Sequence, residues 1–183
     1  MLDKIVSGGQ TGVDRAALDW AIEHGIAHGG WCPKGRRAED GIIPARYQLR
    51  ETPSKDYQQR TRWNVRDSDA TLIVTPTKEL MGGTLFTRQY AVKIRKPSLQ
   101  VFPSIAWREW IMAFCETNVI RSLNVAGPRR SSAPDIEAFV HEVLNFLLIT
   151  PPPTRRRLSP DGRVLRRRGG ERFPVSREGS AAR

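Results

Sequence analysis

Ile5-Val6-Ser7-Gly8-Gly9-Gln10-Thr11-Gly12-Val13-Asp14-Arg15-Ala16-Ala17-Leu18-Asp19-Trp20 is the stretch whose reading decides the fold. The β-branched pair Ile5 and Val6 suits a strand, and the alanine-rich segment after the glycines suits a helix. Glycines let a backbone approach a ligand closely and take positive φ without steric cost. The helix that follows turns its unpaired N–H groups and the positive end of its dipole toward that loop. Strand, glycine loop and helix start together predict an anion site of the kind that holds phosphate. Thr11 with Asp14 three residues later fits a capping box, with Asp in place of Glu or Gln. The spacing is neither G-x-G-x-x-G nor G-x-x-x-x-G-K-[ST], which excludes the dinucleotide fingerprint and the Walker loop. A βα turn without a ligand is the competing reading, but such a turn needs one glycine and this loop has three.

Outward from this loop, strand and helix patterns alternate. Strands are predicted at 3–7, 27–32, 47–51, 70–75, 99–102 and 123–126. Helices are predicted at 12–24, 56–66, 84–95 (stopped by Lys96-Pro97), 104–117 and 133–148. Residues 33–46 read as a polar loop. The last helix is the most regular: Ile136, Phe139, Val140, Val143, Leu144 and Leu147 form one buried stripe. Ser132 or a neighbour caps it, and Pro134 fits its first turn. Strands separated by helices pair in parallel, giving an open three-layer α/β sheet with helices on both faces. Ligands of such sheets bind beyond the carboxyl ends of the strands.

Three strands run into similar loops at that edge. They are Gly8–Gly12, then Met81-Gly82-Gly83-Thr84, and Gly127-Pro128-Arg129-Arg130-Ser131-Ser132, each opening a helix. Their convergence predicts a site for a phosphorylated ligand. Thr11, Thr84 and Ser131 supply hydroxyl donors there, and Arg129 is either a charge-assisted phosphate contact or a solvated surface charge.

Composition bounds the rest. Of 183 residues, 39% are hydrophobic and 27% charged, which suits a globular domain. The domain spans 1–150. Residues 151–183 hold ten arginines against Asp161, Glu171 and Glu178, so they carry +7 of the net +11. That Arg- and Pro-rich tail has too little apolar surface to offset chain entropy and is predicted to be disordered. Its Arg triplets at 155–157 and 166–168 suit weak, non-specific nucleic-acid contact by counterion release. With Phe173 its sole aromatic residue, it is not built to stack bases. The apolar run Phe146–Ile149 is too short to span a bilayer. The chain opens into a strand without a leader pattern, so a cytoplasmic location is the expectation. Cys32 and Cys115 make no disulfide framework.

Several motifs, in order, resemble the molybdenum carrier protein family. They are Ser7–Trp20, Trp31-Cys-Pro-Lys-Gly-Arg-Arg-Ala-Glu-Asp-Gly41, Arg60-Thr-x-x-Asn-Val-x-Asp-Ser-Asp-Ala70, Gly82-Gly-Thr84 and Asn124-Val-Ala-Gly-Pro-Arg129. The resemblance covers nearly all of residues 1–150 and none of the tail. It implies a Rossmann-like fold related to the LOG and SLOG nucleotide-binding proteins. It also implies molybdenum cofactor, a pterin with a dithiolene and a phosphate, as ligand, and a homo-oligomer as the assembled state. With the loops, it marks Gly8, Gly9, Gln10, Thr11, Gly12, Arg15, Lys34, Arg36, Gly82, Gly83, Thr84, Gly127, Arg129 and Ser131 as the ligand-binding set.

The remaining candidates have two readings each. Lys34, Arg36 and Arg37 either close over an anionic ligand or form a solvated basic turn. Arg60, Thr61 and Asn64 face the site or the solvent, and the resemblance favours the site. Asp69, just before a strand, is a turn residue or a catalytic one, and its position favours the turn. The related phosphoribohydrolases carry P-G-G-x-G-T-x-x-E, whose Glu takes part in glycosidic cleavage, whereas Met81–Arg88 has no carboxylate. A binding or carrier role is therefore expected, with a nucleotide- or nucleotide-sugar-processing enzyme as the alternative; Glu39, Asp40 or Asp14 would then stand in for the missing acid. No metal site is expected. His24 and His28 have zinc-like spacing, but Gly25 ends the helix between them. Cys32 is either a soft ligand or a small buried residue, and Cys115 packs within its helix. Trp107, Trp110, Ile111 and Phe114, flanked by Ile105 and Met112, serve the core and leave width for a subunit interface.

Overall fold

A computed structural model describes residues 2–151 of the chain. The expected tail lies, apart from Pro151, outside the described residues. The elements run β1 Lys4–Val6, α1 Val13–Glu23, β2 Ala27–Cys32, β3 Arg37–Ala38, β4 Gly41–Ile42, β5 Leu49–Glu51 and α2 Tyr57–Arg66. They continue with β6 Ala70–Val74, α3 Gly82–Lys93, β7 Ser98–Val101, α4 Trp107–Thr117, β8 Ser122–Ala126, a 3-10 turn Arg130–Ser132 and α5 Ile136–Ile149.

Six strands form one sheet in the order β5-β2-β1-β8-β6-β7, and each of its strand pairs is parallel. The Rossmann-like α/β expectation therefore stands. β1 is central, with Ile5 opposite His28 on one side and Leu123 on the other. The last strand, β8, inserts between β1 and β6. The glycine loop after β1 and the loop after β8 are thereby neighbours at the carboxyl edge.

The core explains which residues form these elements. Ile5, Leu72, Val74, Leu123 and Val125 from the strands join Ala17, Trp20, Trp107, Ile111, Val140 and Leu144 in one buried cluster. This is the layer of α1, α4 and α5. The alternating strand residues Val6, Thr71, Ile73 and Asn124 are buried on the opposite face, toward α2 and α3. The predicted stripe of α5 is borne out: Ile136, Val140, Val143, Leu144 and Leu147 are buried, and Phe139 packs edge-on against Trp107. Full burial of each such side chain contributes about 1.5–3 kcal/mol. The Trp20 indole N–H donates to Asn145 Oδ1 at 2.7 Å, so its burial leaves no orphan donor. Among the described residues no helix is long and apolar enough to cross a membrane.

Several boundaries differ from the sequence reading, each for a local reason. The α1 N-cap is Gly12, with φ 73° and no side-chain cap, so the Thr11–Asp14 capping box does not form. Thr11 and Asp14 have other partners, described below. α5 starts at Ile136 with Asp135 as N-cap and no side-chain cap, because Arg130–Ser132 form a 3-10 turn; Ser132 does not cap it and Pro134 lies before its first turn. Gly82 and Gly83 belong to the first turn of α3 rather than to the loop before it. The polar stretch 33–46 contains the β3–β4 hairpin, paired Arg37 to Ile42 and Ala38 to Gly41. Beneath it Leu18, Cys32, Ile43, Tyr47 and Leu49 make a second small core.

Candidate anion-binding site

The β1 and β8 loops meet at the carboxyl edge. Val13 N–H donates to Pro128 O at 3.3 Å, and Ser7 Oγ donates to Val125 O at 2.7 Å. Gly12 is required at this junction, because a Cβ there would lie 2.7 Å from both Arg130 N and Pro128 O. The Arg130 N–H donates to Thr11 Oγ1 at 3.1 Å, which leaves the threonine proton free to donate outward.

That proton goes to Glu39, at the tip of the β3–β4 hairpin. The Glu39 carboxylate accepts from Thr11 Oγ1, from Ser131 N–H at 3.2 Å and from Ser131 Oγ at 2.5 Å. Arg129 Nε lies 3.4 Å from its second oxygen. Two hydroxyls, one backbone N–H and a guanidinium thus converge on one carboxylate. Burial alone would raise the Glu39 carboxyl, but the hydrogen bonds from Ser131 and Thr11 and the Arg129 charge outweigh it and hold the group below the usual glutamate range. Asp40 pairs with Arg15 through both oxygens, at 2.5 and 2.7 Å; these hydrogen bonds lead the causes that lower its carboxyl. Gln10 Oε1 ties the two parts together, accepting from Thr11 N–H at 3.0 Å and Glu39 N–H at 2.9 Å.

Below this cradle sits a buried ion pair. Arg60 reaches from α2 to Asp14, with Nη1 2.9 Å from Oδ2, and the Gln10 N–H also donates to that oxygen at 3.3 Å. The guanidinium passes so close to Gly8 that a Cβ there would lie 1.8 Å from Nη1. Burial dominates at Asp14 and raises its carboxyl despite Arg60. The Arg60 Nε is buried without a partner.

The predicted set divides accordingly. Gly8, Gly9, Gln10, Thr11, Gly12, Arg15, Gly127, Arg129 and Ser131 come together around the cradle. Gly9 O accepts from Arg15 Nε at 3.1 Å, and Gly127 packs against Val74 O and Val13. Gly82, Gly83 and Thr84 stand at the same sheet edge. A Cβ at either glycine would meet nothing within 4 Å, and the Thr84 hydroxyl donates to Met81 O at 2.6 Å. Lys34 is exposed and its N–H donates to Ser54 O. Arg36 spends its guanidinium on four backbone carbonyls, of Ile43, Pro44, Tyr47 and Leu49. It holds the loop in shape.

The other candidates are placed as follows. Asn64 brackets Trp31, accepting from its N–H at 2.7 Å and donating to its carbonyl at 3.0 Å. Thr61 bonds back to Tyr57 O at 3.0 Å. Asp69 accepts from Arg121 and Ser122 N–H groups at the opposite edge of the sheet, as a turn residue. Arg88 donates to Ser98 O at 2.9 Å and the Thr87 hydroxyl to Gly83 O at 2.7 Å. His24 stacks on Trp20, and His28 accepts from Gln48 N–H at 3.3 Å. Among the described residues no His, Cys, Asp or Glu cluster could hold a metal ion. Cys32 is fully buried, and burial raises its thiol. Two surface cavities lie away from the cradle. One of about 290 Å³ is lined by Cys115, Val119, Leu147 and Ile149, and one of about 510 Å³ by Arg62, Phe86 and Tyr90. Neither gathers the polar donors that the cradle does.

Sequence reasoning missed the role of Glu39 as the carboxylate inside the cradle. The signal was the match of two acidic residues within an otherwise basic loop, which periodicity does not interpret.

Known proteins resemble most of this chain. The sequence model of the circularly permutated YpsA SLOG family matches residues 5–148. The crystal structure of a "Putative molybdenum carrier protein" from Syntrophus aciditrophicus SB is 44% identical, with a TM-score of 0.71, covering 80% of this chain and 95% of that one. No curated protein matches.

Proposed function

The chain belongs to the circularly permutated YpsA SLOG family, and from that premise we propose that it binds a phosphorylated pterin or nucleotide-like ligand through the cradle of Thr11, Arg129 and Ser131. Molybdenum cofactor is the first candidate, carried as cargo. One observation supports this above the rest: two hydroxyls, a backbone N–H and a guanidinium point at a single oxyanion. A phosphate monoester offers the same acceptor oxygens with more charge, and charge-assisted hydrogen bonds of this kind are the strong ones. The donors belong to two loops that the sheet order makes neighbours, so their arrangement does not depend on a ligand. Cys32 contributes no soft ligand in this reading, because its side chain is fully buried in the small core beneath the hairpin.

Native mass spectrometry of the gently purified full chain, with molybdenum analysis of the same sample, tests the proposal. Co-purified molybdenum and a pterin mass support the carrier reading and give the oligomeric state. An ordinary nucleotide, or no molybdenum after incubation with fresh cofactor, overturns molybdenum cofactor as the cargo. Turnover of a bound nucleotide favours the enzyme alternative, with Glu39 the carboxylate at hand.

A further inference from the structure

The donors that suit a phosphate are taken up by the chain itself. The contacts of the hairpin tip are polar: Glu39 in the cradle, Asp40 on Arg15, and the Glu39 N–H on Gln10. Little apolar burial holds the tip: Ala38 is half-buried against the small core, but Gly41 is exposed and Ile42 is 77% exposed. The hairpin base is built differently. Ile43 is fully buried in the small core with Leu18 and Cys32, and Arg36 grips the carbonyls of residues 43, 44, 47 and 49. A fixed base with a polar tip is the anatomy of a hinge that opens without unfolding the domain.

We propose that residues 37–42 form a lid closed by Glu39, which stands in the cradle as an internal substitute for the anionic group of the ligand and must be displaced for the ligand to enter. The proposal rests on the anion reading of the cradle. A carboxylate and a phosphate require the same donors, and two anions cannot share them. The apparent affinity is then the intrinsic affinity reduced by the fraction of molecules with the lid open. The lid also selects for charge. An anion replaces Glu39 like for like at Ser131 and Thr11, whereas a neutral ligand would leave the Arg129 charge uncompensated.

Calorimetric titration of the full chain with inorganic phosphate, at fixed ionic strength, tests this on wild type, Glu39→Gln and Glu39→Ala. The double variant Thr11→Val/Ser131→Ala supplies the baseline for phosphate held elsewhere on the chain. Hydrogen exchange at residues 37–42 is followed in parallel. The lid predicts that Glu39→Gln binds phosphate at least about tenfold tighter than wild type, a gain of about 1.4 kcal/mol. It also predicts that phosphate speeds exchange at the Glu39 N–H of the wild type. Binding above the baseline with no gain in either Glu39 variant, or slower exchange on phosphate addition, overturns the lid and leaves the cradle standing. No binding above the baseline in any variant overturns the cradle itself, and the lid with it.

Discussion

In α5, five buried apolar side chains on one stripe fasten the helix to the sheet. In residues 33–48, one arginine on four carbonyls and two carboxylates at a hairpin tip do the corresponding work. The first region is stabilised by area removed from water, which is non-directional and repeats with the helix period. The second has only the small core of Ile43 and Tyr47 beneath it and is otherwise held by directional bonds, local for Arg36 and distant in sequence for Glu39 and Asp40. The contrast separates an apolar scaffold from a loop whose tip is held by polar contacts.

Breaking the scaffold has the largest effect. Leu144→Ala, at a site with no solvent exposure, lowers unfolding free energy by about 2–5 kcal/mol, read by denaturant melting. Cradle geometry in the surviving folded protein is unchanged, so phosphate affinity below the transition stays at the wild-type value. Arg36→Lys probes the loop instead. A lysine cannot reach four carbonyls in a planar fork, and the loss of about 1–3 kcal/mol is local. Hydrogen exchange over 37–48 rises sharply, while α5 keeps its protection. Equal loss of protection in both regions would erase the distinction between scaffold and loop.

The smallest effect is a pH dependence. The Glu39 carboxyl lies below its ordinary 4.5 in the folded chain, so its contribution is present above 4.5 and lost as pH falls through the folded value. Asp14 has the opposite sign. Its carboxyl is raised by burial, so its contribution is present below 3.8 and lost as pH rises from there through the raised value. Melting curves across the acid range therefore show a wild-type loss below 4.5 that Glu39→Gln lacks, under about 1 kcal/mol for a partly exposed pair. Identical acid profiles for the two proteins would remove Glu39 from the cradle.

Most of the architecture was legible in the sequence because apolar periodicity carries it. The parallel sheet, the α5 stripe and the glycine loop after β1 follow from residue spacing alone. The capping box at Thr11 and Asp14 did not form because both side chains serve tertiary contacts, one to Glu39 and Arg130, the other to Arg60. A local motif cannot reveal a partner 46 residues away. The hairpin escaped notice for a similar reason: two-residue strands are too short to alternate, and the tip between them is tied to Gln10, Thr11 and Arg15, distant in sequence. The loop between β6 and α3 shows the reverse. Its glycines matched the pattern of the other two, yet they became the first turn of α3.

A ¹H–¹⁵N NMR titration of the full chain with inorganic phosphate follows the cradle and its lid amide by amide. Phosphate in the cradle produces saturable shifts at the Thr11, Arg130 and Ser131 amides, with the Glu39 amide moving in step as the lid leaves. Shifts confined to residues outside the two loops, with Ser131 unmoved, would contradict this placement of phosphate.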